Sequence, residues 1–328
     1  MSSNMDARLT WGVFVMCLAG AMHLSGCVQQ DRSVDLYVDA VMYKEFEQNE
    51  LAIEKLNSAV QVNNRFSLAY SLLGDIYKDM QEYGKSAESY EKATEINPWS
   101  FRDYFSLGKV YYVMKKFSSA VKSYKQATEI KPDHFEANLG VARSAYQIQD
   151  YNDALTYGLK AEELNPEAVE VQKILGDIYE SQKDYEQAIR AYKRAMELDS
   201  NDVGSMMSLA IAYLKTGRSE PAKELLTAVV QRNPANSDAF QYLGYCWLRL
   251  NDIDKSIENY GKAAELNNSD WQAYRGLGVA YMLQAIKTKD ETLKAKAIEQ
   301  WRLSLEIRPD QPRSERLRKL VDRYTQQK

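Results

Sequence analysis

The chain has 328 residues, 45% hydrophobic and 27% charged, with 42 Lys and Arg against 46 Asp and Glu and a net charge of −4. A mean hydropathy of −0.52 excludes a multi-span membrane protein, and so large an apolar fraction excludes a disordered chain. Without a long basic block the balance also speaks against nucleic acid as a partner, because phosphate binding needs a concentrated positive face.

Residues 1–26 read as an export signal. Arg8 supplies the positive start, Leu9 to Met22 is an apolar run of 14 residues, and Leu24, Ser25, Gly26 and Cys27 follow. Asp6 offsets Arg8, and Met5 offers a second start. The alternative is an uncleaved spanning helix, since Leu9 to Gly26 covers 18 residues, the least a span needs, though it contains Gly12, Gly20 and His23. The tetrapeptide ending in Cys27 resembles a bacterial lipobox, in which small residues precede a cysteine that is diacylated on its thiol and left as residue one. That resemblance implies a lipidated Cys27 with a short tether to residue 32. Two acyl chains hold far better than one, each buried methylene adding roughly 0.8 kcal/mol. Val28 stands where an Asp would imply retention in the inner membrane, so the implied address is the outer membrane, facing the periplasm.

From residue 33 the chain counts in units of 34. Pro98, Pro132 and Pro166 are 34 apart, Pro234 stands two periods on, and Pro309 two periods and seven residues after that. Blocks starting at Ser33, Ser67, Phe101, Phe135, Val169, Val203, Ser237 and Trp271 lie over one another without a gap until the last. Their eighth position is Ala40, Gly74, Gly108, Ala142, Gly176, Ala210, Gly244 and Gly278, which predicts a close helix contact in every block. Position eleven is Tyr43, Tyr77, Tyr111, Ala145, Tyr179, Tyr213, Trp247 and Tyr281, and position seven is Leu or Val except for Asp39. Positions 4, 7, 8 and 11 form one helical stripe, and positions 20, 24 and 27, as in Ala188, Tyr192 and Ala195, form a second. Each block therefore reads as two antiparallel helices, parted by a short polar turn such as Gln149-Asp150 and closed by Asn97-Pro98, Lys131-Pro132, Asn165-Pro166 or Asn233-Pro234. One such pair cannot bury its apolar face, but a stack can.

These columns resemble the tetratricopeptide repeat over residues 33–311. The departures are local: block one has Asp39 and Asn64 at the Leu and Pro positions, and block four has Ala145 and Gly158 in place of aromatics. Block eight carries seven extra residues around Ile286 to Lys296, which either lengthen both helices or bulge as a loop. The resemblance implies an all-α fold, a right-handed α-solenoid of eight helix pairs. Residues 312–328, with Leu317, Leu320, Val321 and Tyr324 at helical spacing, read as a capping helix whose net charge of +4 solubilises the end. A membrane or an acidic partner is the alternative use of that charge.

In tetratricopeptide arrays the first helices line a concave groove into which positions 2, 5, 9 and 12 point. Carried onto this chain, that groove holds Arg102, Phe105, Lys109 and Tyr112 in block three and Leu139, Arg143 and Tyr146 in block four, a mixture of cations and aromatics that suits peptide capture. Block five is mixed in charge, with Glu170, Lys173, Asp177 and Glu180. Blocks six and seven turn apolar, with Met207, Ile211, Leu214, Tyr245 and Leu248. The Lys/Asn clamp that some members use for chaperone carboxyl termini is missing, because Asp177 follows Lys173 at position nine.

Nothing points to catalysis. His23 and His134 are the only histidines and Cys17, Cys27 and Cys246 the only cysteines, so neither a zinc site nor a disulfide framework is expected unless Cys27 stays unmodified and meets Cys246. Cys246 reads as a small buried hydrophobe. Gly276-Leu277-Gly278 follows no strand, and neither a Walker lysine motif nor a Gly-x-Ser-x-Gly elbow occurs. Asn267-Asn268-Ser269 reads as turn chemistry. The expectation is a non-enzymatic, lipid-anchored scaffold without cofactor, metal, nucleic acid or small-molecule substrate, gripping protein segments during assembly of a cell-envelope complex. Similar lipoproteins serve as pilotins for type IV pilus secretins, as partners in outer-membrane barrel assembly and as adaptors for peptidoglycan enzymes; an adaptor that regulates a polysaccharide enzyme is a further form of the same reading.

Overall fold

The computed structural model describes residues 32–326, among which are seventeen α-helices and no strand. The chain divides into two units that meet in sequence at Asn165 and Pro166. The first holds four helix pairs: α1 (32–45) with α2 (Asn49–Val62), α3 (Ser67–Asp79) with α4 (Tyr83–Ile96), α5 (Phe101–Val113) with α6 (Phe117–Ile130), and α7 (Phe135–Gln147) with α8 (Tyr151–Leu164). The second holds α9 (Val169–Ser181) with α10 (Tyr185–Leu198), α11 (Val203–Lys215) with α12 (Ser219–Arg232), α13 (Ser237–Arg249) with α14 (Ile253–Leu266), and α15 (Trp271–Thr288) with α16 (Glu291–Ile307), then α17 (Ser314–Gln326). The fold is thus all-α, with eight helix pairs of the tetratricopeptide kind and a final helix among the described residues. In block eight, α15 and α16 run 18 and 17 residues where α9 and α10 run 13 and 14, so the seven extra residues lengthen both helices and absorb one turn residue.

Each end of each helix has a local cause. Between the helices of a pair, residue fifteen of the block takes a left-handed backbone: Glu47, Gln81, Lys115, Gln149, Lys183 and Asn251 have φ between 58° and 64°, and Gly217 has 78°. That conformation is unfavourable for a side chain with a Cβ, yet it lets the next amide close the helix, as when Glu82 N–H donates to Tyr77 O at 2.8 Å. At the end of the second helices, Asn63, Asn97, Asp199, Asn233 and Asn267 each accept the N–H two residues on, an Asx turn that delivers the chain to the next block. Ser100, Asp202 and Asn236 then cap the following first helices by accepting the N–H three residues on.

Burial follows the pairing. Positions three and ten, outside the stripe of 4, 7, 8 and 11, are the most deeply buried: Ala69, Ala137, Val171, Ile76, Ile178 and Cys246 are all at 0% exposure. Within each unit such residues are covered by the second helix of the preceding block, as Ala69 and Ile76 are by α2. In block one Met42 occupies position ten at 51% exposure, and Val34, Val38 and Phe46 beside it are exposed as well, because no earlier helix among the described residues covers α1. The other end is closed, since Leu317 and Val321 of α17 pack onto Met282, Ile298 and Trp301.

Candidate functional site

The first helices present a wall whose chemistry starts behind it, at the contact with the second helices. Four blocks pair a glycine at position eight with a tyrosine at position 24, Gly74 with Tyr90, Gly108 with Tyr124, Gly176 with Tyr192 and Gly244 with Tyr260, and block eight pairs Gly278 with Trp301, seven residues further on because of its extra residues. A Cβ on Gly176 would lie 2.3 Å from Tyr192 Cε1, and one on Gly74 2.7 Å from Tyr90 Cε1, so the ring rests on bare backbone. The three blocks with alanine at position eight have Leu56, Gly158 and Leu226 at position 24 instead. In blocks two and five the tyrosine hydroxyl reaches the residue at position nine.

In the first unit the buried Tyr90 hydroxyl donates to Asp75 Oδ1 at 2.6 Å. Asp75 is 6% exposed, and Arg102 from the next block and Lys78 complete its shell. Burial and the bond to Asp75 push the Tyr90 hydroxyl far above its ordinary pKa. Block three departs from this pattern. Position nine is Lys109, so the Tyr124 hydroxyl meets no carboxylate there and makes no hydrogen bond among the described residues; the ring is buried, but the hydroxyl still touches solvent. Burial, first, and the Tyr112 hydroxyl raise its pKa, while the charge of Arg143 in block four lowers it. Neither Lys109 nor Arg143 has an ion-pair partner among the described residues. Lys109 Nζ lies instead 5.2 Å above the Phe105 ring. Phe101 and Phe105 stack at 5.6 Å, and His134 sits 4.5 and 5.0 Å from them while its Nδ1 accepts the Ala137 N–H as the cap of α7. Tyr112 meets Phe117 edge-on at 5.5 Å, and Tyr146 lies 6.1 Å from Tyr151.

In the second unit the Tyr192 hydroxyl donates to Asp177 Oδ1 at 2.7 Å and to Glu180 at 3.2 Å. Burial raises the Asp177 carboxyl against the Tyr192 bond and the Lys173 charge, which lower it. Lys173 itself lies 2.9 Å from Asp202. Met207 and Leu214 of α11 pack half-buried on the core cluster of that unit, Ile211 is half-buried beside them in sequence, and Tyr245 of α13 is 36% exposed. Burial pushes the free Cys246 thiol up to about 12, so it stays protonated at neutral pH.

The structure brings Arg102, Phe105, Lys109 and Tyr112 together on α5 and sets Arg143 and Tyr146 on the next first helix, α7. Two expectations need correction. Leu139 is 5% exposed, so this aliphatic side chain of α7 is buried away from water and is not offered to the groove. Arg102 is exposed but already paired with Asp75. Cys27 lies outside the described residues. Sequence reasoning missed the carboxylates Asp75 and Asp177 as partners of the ring behind them; the signal was present, because the blocks with Asp at position nine have Tyr at position 24. Among the described residues no cluster of His, Cys, Asp or Glu could hold a metal ion, and no helix is long and apolar enough to cross a membrane.

A family model described as the C-terminal domain of cilia and flagella-associated protein 70 matches residues 38–277, nearly three quarters of the chain. RNA polymerase-associated protein CTR9 of Saccharomyces cerevisiae is 28% identical over 119 residues, 35% of this chain and 11% of that protein, so the chain spans about a tenth of the length of the curated relative it matches. The structure of pilF from Pseudomonas aeruginosa aligns with a TM-score of 0.52 at 18% identity, covering 68% of this chain and 97% of that one. YrrB, described as a TPR protein with an unusual peptide-binding site, aligns at 0.50 with 18% identity, covering 61% and 99%. At such identities the likeness is one of fold.

Proposed function

The chain belongs to the tetratricopeptide-repeat family of the cilia and flagella-associated protein 70 C-terminal domain, and from that premise we propose that it is a scaffold that binds protein segments along its first helices. The observation that carries this reading is the wall of α5 and α7, where Phe105, Tyr112 and Tyr146 stand among the cations Lys109 and Arg143, neither of which has an ion-pair partner among the described residues. Aromatic and arginine side chains set together on a rigid surface are what interface hot spots use. In the second unit Met207, Ile211 and Tyr245 give the first helices an apolar stretch of their own.

The address comes from residues 24–27, not from the family. The small residues before Cys27 make it a lipid anchor, which holds the scaffold on the outer membrane, facing the periplasm, where it assembles a cell-envelope complex. Two experiments test this. Bacterial expression with a labelled fatty acid gives a labelled chain that Cys27→Ser leaves unlabelled; a chain unlabelled from the start removes the anchor. Envelope proteins co-purify with the anchored chain and are lost with Arg143→Glu and Tyr112→Ala together, whereas unaltered capture removes the wall from the function.

A further inference from the structure

We infer that the open face of the first helix pair, the row of Val38, Met42 and Phe46 with Val34 beside it, lies on the surface of the bilayer that holds the chain. This rests on Cys27 being the lipid anchor and adds which face of the fold meets the membrane.

The row stands at positions six, ten and fourteen of block one. In block two the same positions are Leu72, Ile76 and Met80, and they pack onto the first pair. Leu72 and Ile76 are buried in one cluster with Leu56 and Ala59 of α2, and Met80 is partly buried against it. In block one no described helix precedes α1, and Val38, Met42 and Phe46 are 50%, 51% and 74% exposed. The end of a repeat array that stays in water carries a polar outer face. The other end of this chain does so, since the exposed residues described in α17 are polar or charged, Arg316, Lys319 and Arg323 among them. Block one instead keeps the apolar residues of a covered row, so an apolar phase or partner must cover them.

The covalent chemistry of the chain points to lipid. Four residues separate Cys27 from Arg32, where α1 begins. However they run, they span no more than about 18 Å between those two Cα atoms. A helix tied so closely to two acyl chains is held against the bilayer, whereas a second copy must be met by diffusion. Charge also speaks against the second copy. Residues 32–50 carry two Lys and Arg against five Asp and Glu, so two such faces brought together repel. The same charge makes the contact apolar rather than electrostatic, because anionic headgroups attract basic segments and not acidic ones. Among the described residues no helix is long and apolar enough to cross a membrane. The helix therefore lies along the surface, with the row dipping below the headgroups as in other interfacial helices.

The test uses the full chain, lipidated and reconstituted in phosphatidylcholine vesicles, with a nitroxide on Met42→Cys or on Val113→Cys. Val113 of α5 is 53% exposed, as open as Met42, and the buried Cys246 stays unlabelled. In the vesicles the nitroxide at position 42 collides with oxygen dissolved in the bilayer and loses its collisions with a nickel chelate in the water. The nitroxide at position 113 keeps them, and high salt leaves the difference in place. Adding Val38→Glu and Phe46→Glu returns position 42 to the water. That variant still floats with the vesicles through its lipid, and its melting temperature in detergent is unchanged. Equal accessibility at positions 42 and 113 in a chain that carries the labelled fatty acid overturns the inference and leaves the anchor standing; a chain without the fatty acid removes both. Spectral broadening at position 42 that disappears on dilution with unlabelled chain assigns the face to a second copy and overturns the inference, as does a difference abolished by salt.

Discussion

In block five Gly176 receives the Tyr192 ring, and the ring's hydroxyl donates to Asp177 and Glu180. In block four Ala142 and Gly158 stand at the same two positions, with neither ring nor hydroxyl. Both blocks nonetheless form a helix pair of the same lengths, 13 and 14 residues. The glycine is therefore not what makes the pair. It makes room for an aromatic ring, and the alternative solution is a methyl group with a smaller or aliphatic partner. What the ring adds is a polar group delivered through the pair to the wall, where it fixes a carboxylate. Structure and wall chemistry are set together in block five and separately in block four.

The largest expected effect comes from putting a side chain where the ring rests. Gly176→Leu drives its Cβ into Tyr192 and lowers stability by about 3 kcal/mol, the upper part of the range for overpacking; an unchanged thermal unfolding curve would contradict the register. A finer probe converts block five to the alanine-and-leucine solution of blocks one and six, Ala40 with Leu56 and Ala210 with Leu226. Gly176→Ala and Tyr192→Leu should each destabilise more alone than the other's presence allows, with a coupling of about 1–2 kcal/mol in a double-mutant cycle. Additive effects would mean that the glycine and the ring do not answer to one another. Removing only the hydroxyl separates the two jobs of the ring. Tyr192→Phe leaves Asp177 without its donor and costs about 1–2 kcal/mol, whereas Tyr124→Phe, which breaks no hydrogen bond, leaves denaturant unfolding unmoved. Equal losses in both would show that the bond to Asp177 contributes nothing.

Much of this was legible in the residues. The 34-residue period, the glycine column and the aromatics at position 24 state the helix pairs and their closest contact, because close packing demands small against large at a fixed spacing. The prolines mark where second helices end for a separate reason, the ring leaving no backbone donor for a helix. The turns within the pairs were only half legible. Glu47, Gln81, Lys115, Gln149, Lys183 and Asn251 adopt a backbone that favours glycine, yet only Gly217 advertises it. The wall was the least legible part. Position within one helix names its residues, while their state depends on neighbours from other helices: Arg102 is paired with Asp75, and Leu139 is buried. Positions three and ten were missed because their burial comes from the preceding block, which a stripe drawn on one helix does not include.

The smallest effect tests whether glycine matters by its place or by its nature. Gly261 lies in the middle of α14, and a Cβ added to it meets no atom within 4 Å. Glycine in a helix interior carries extra backbone freedom that folding must remove, so Gly261→Ala should stabilise the chain by about 0.5–1 kcal/mol. The same substitution at Gly176 meets Tyr192 and should act in the opposite direction. Thermal unfolding of the two variants side by side gives two shifts of opposite sign if the ring decides. Two shifts of the same sign would mean that helix propensity, and not the ring behind the wall, governs the glycine column.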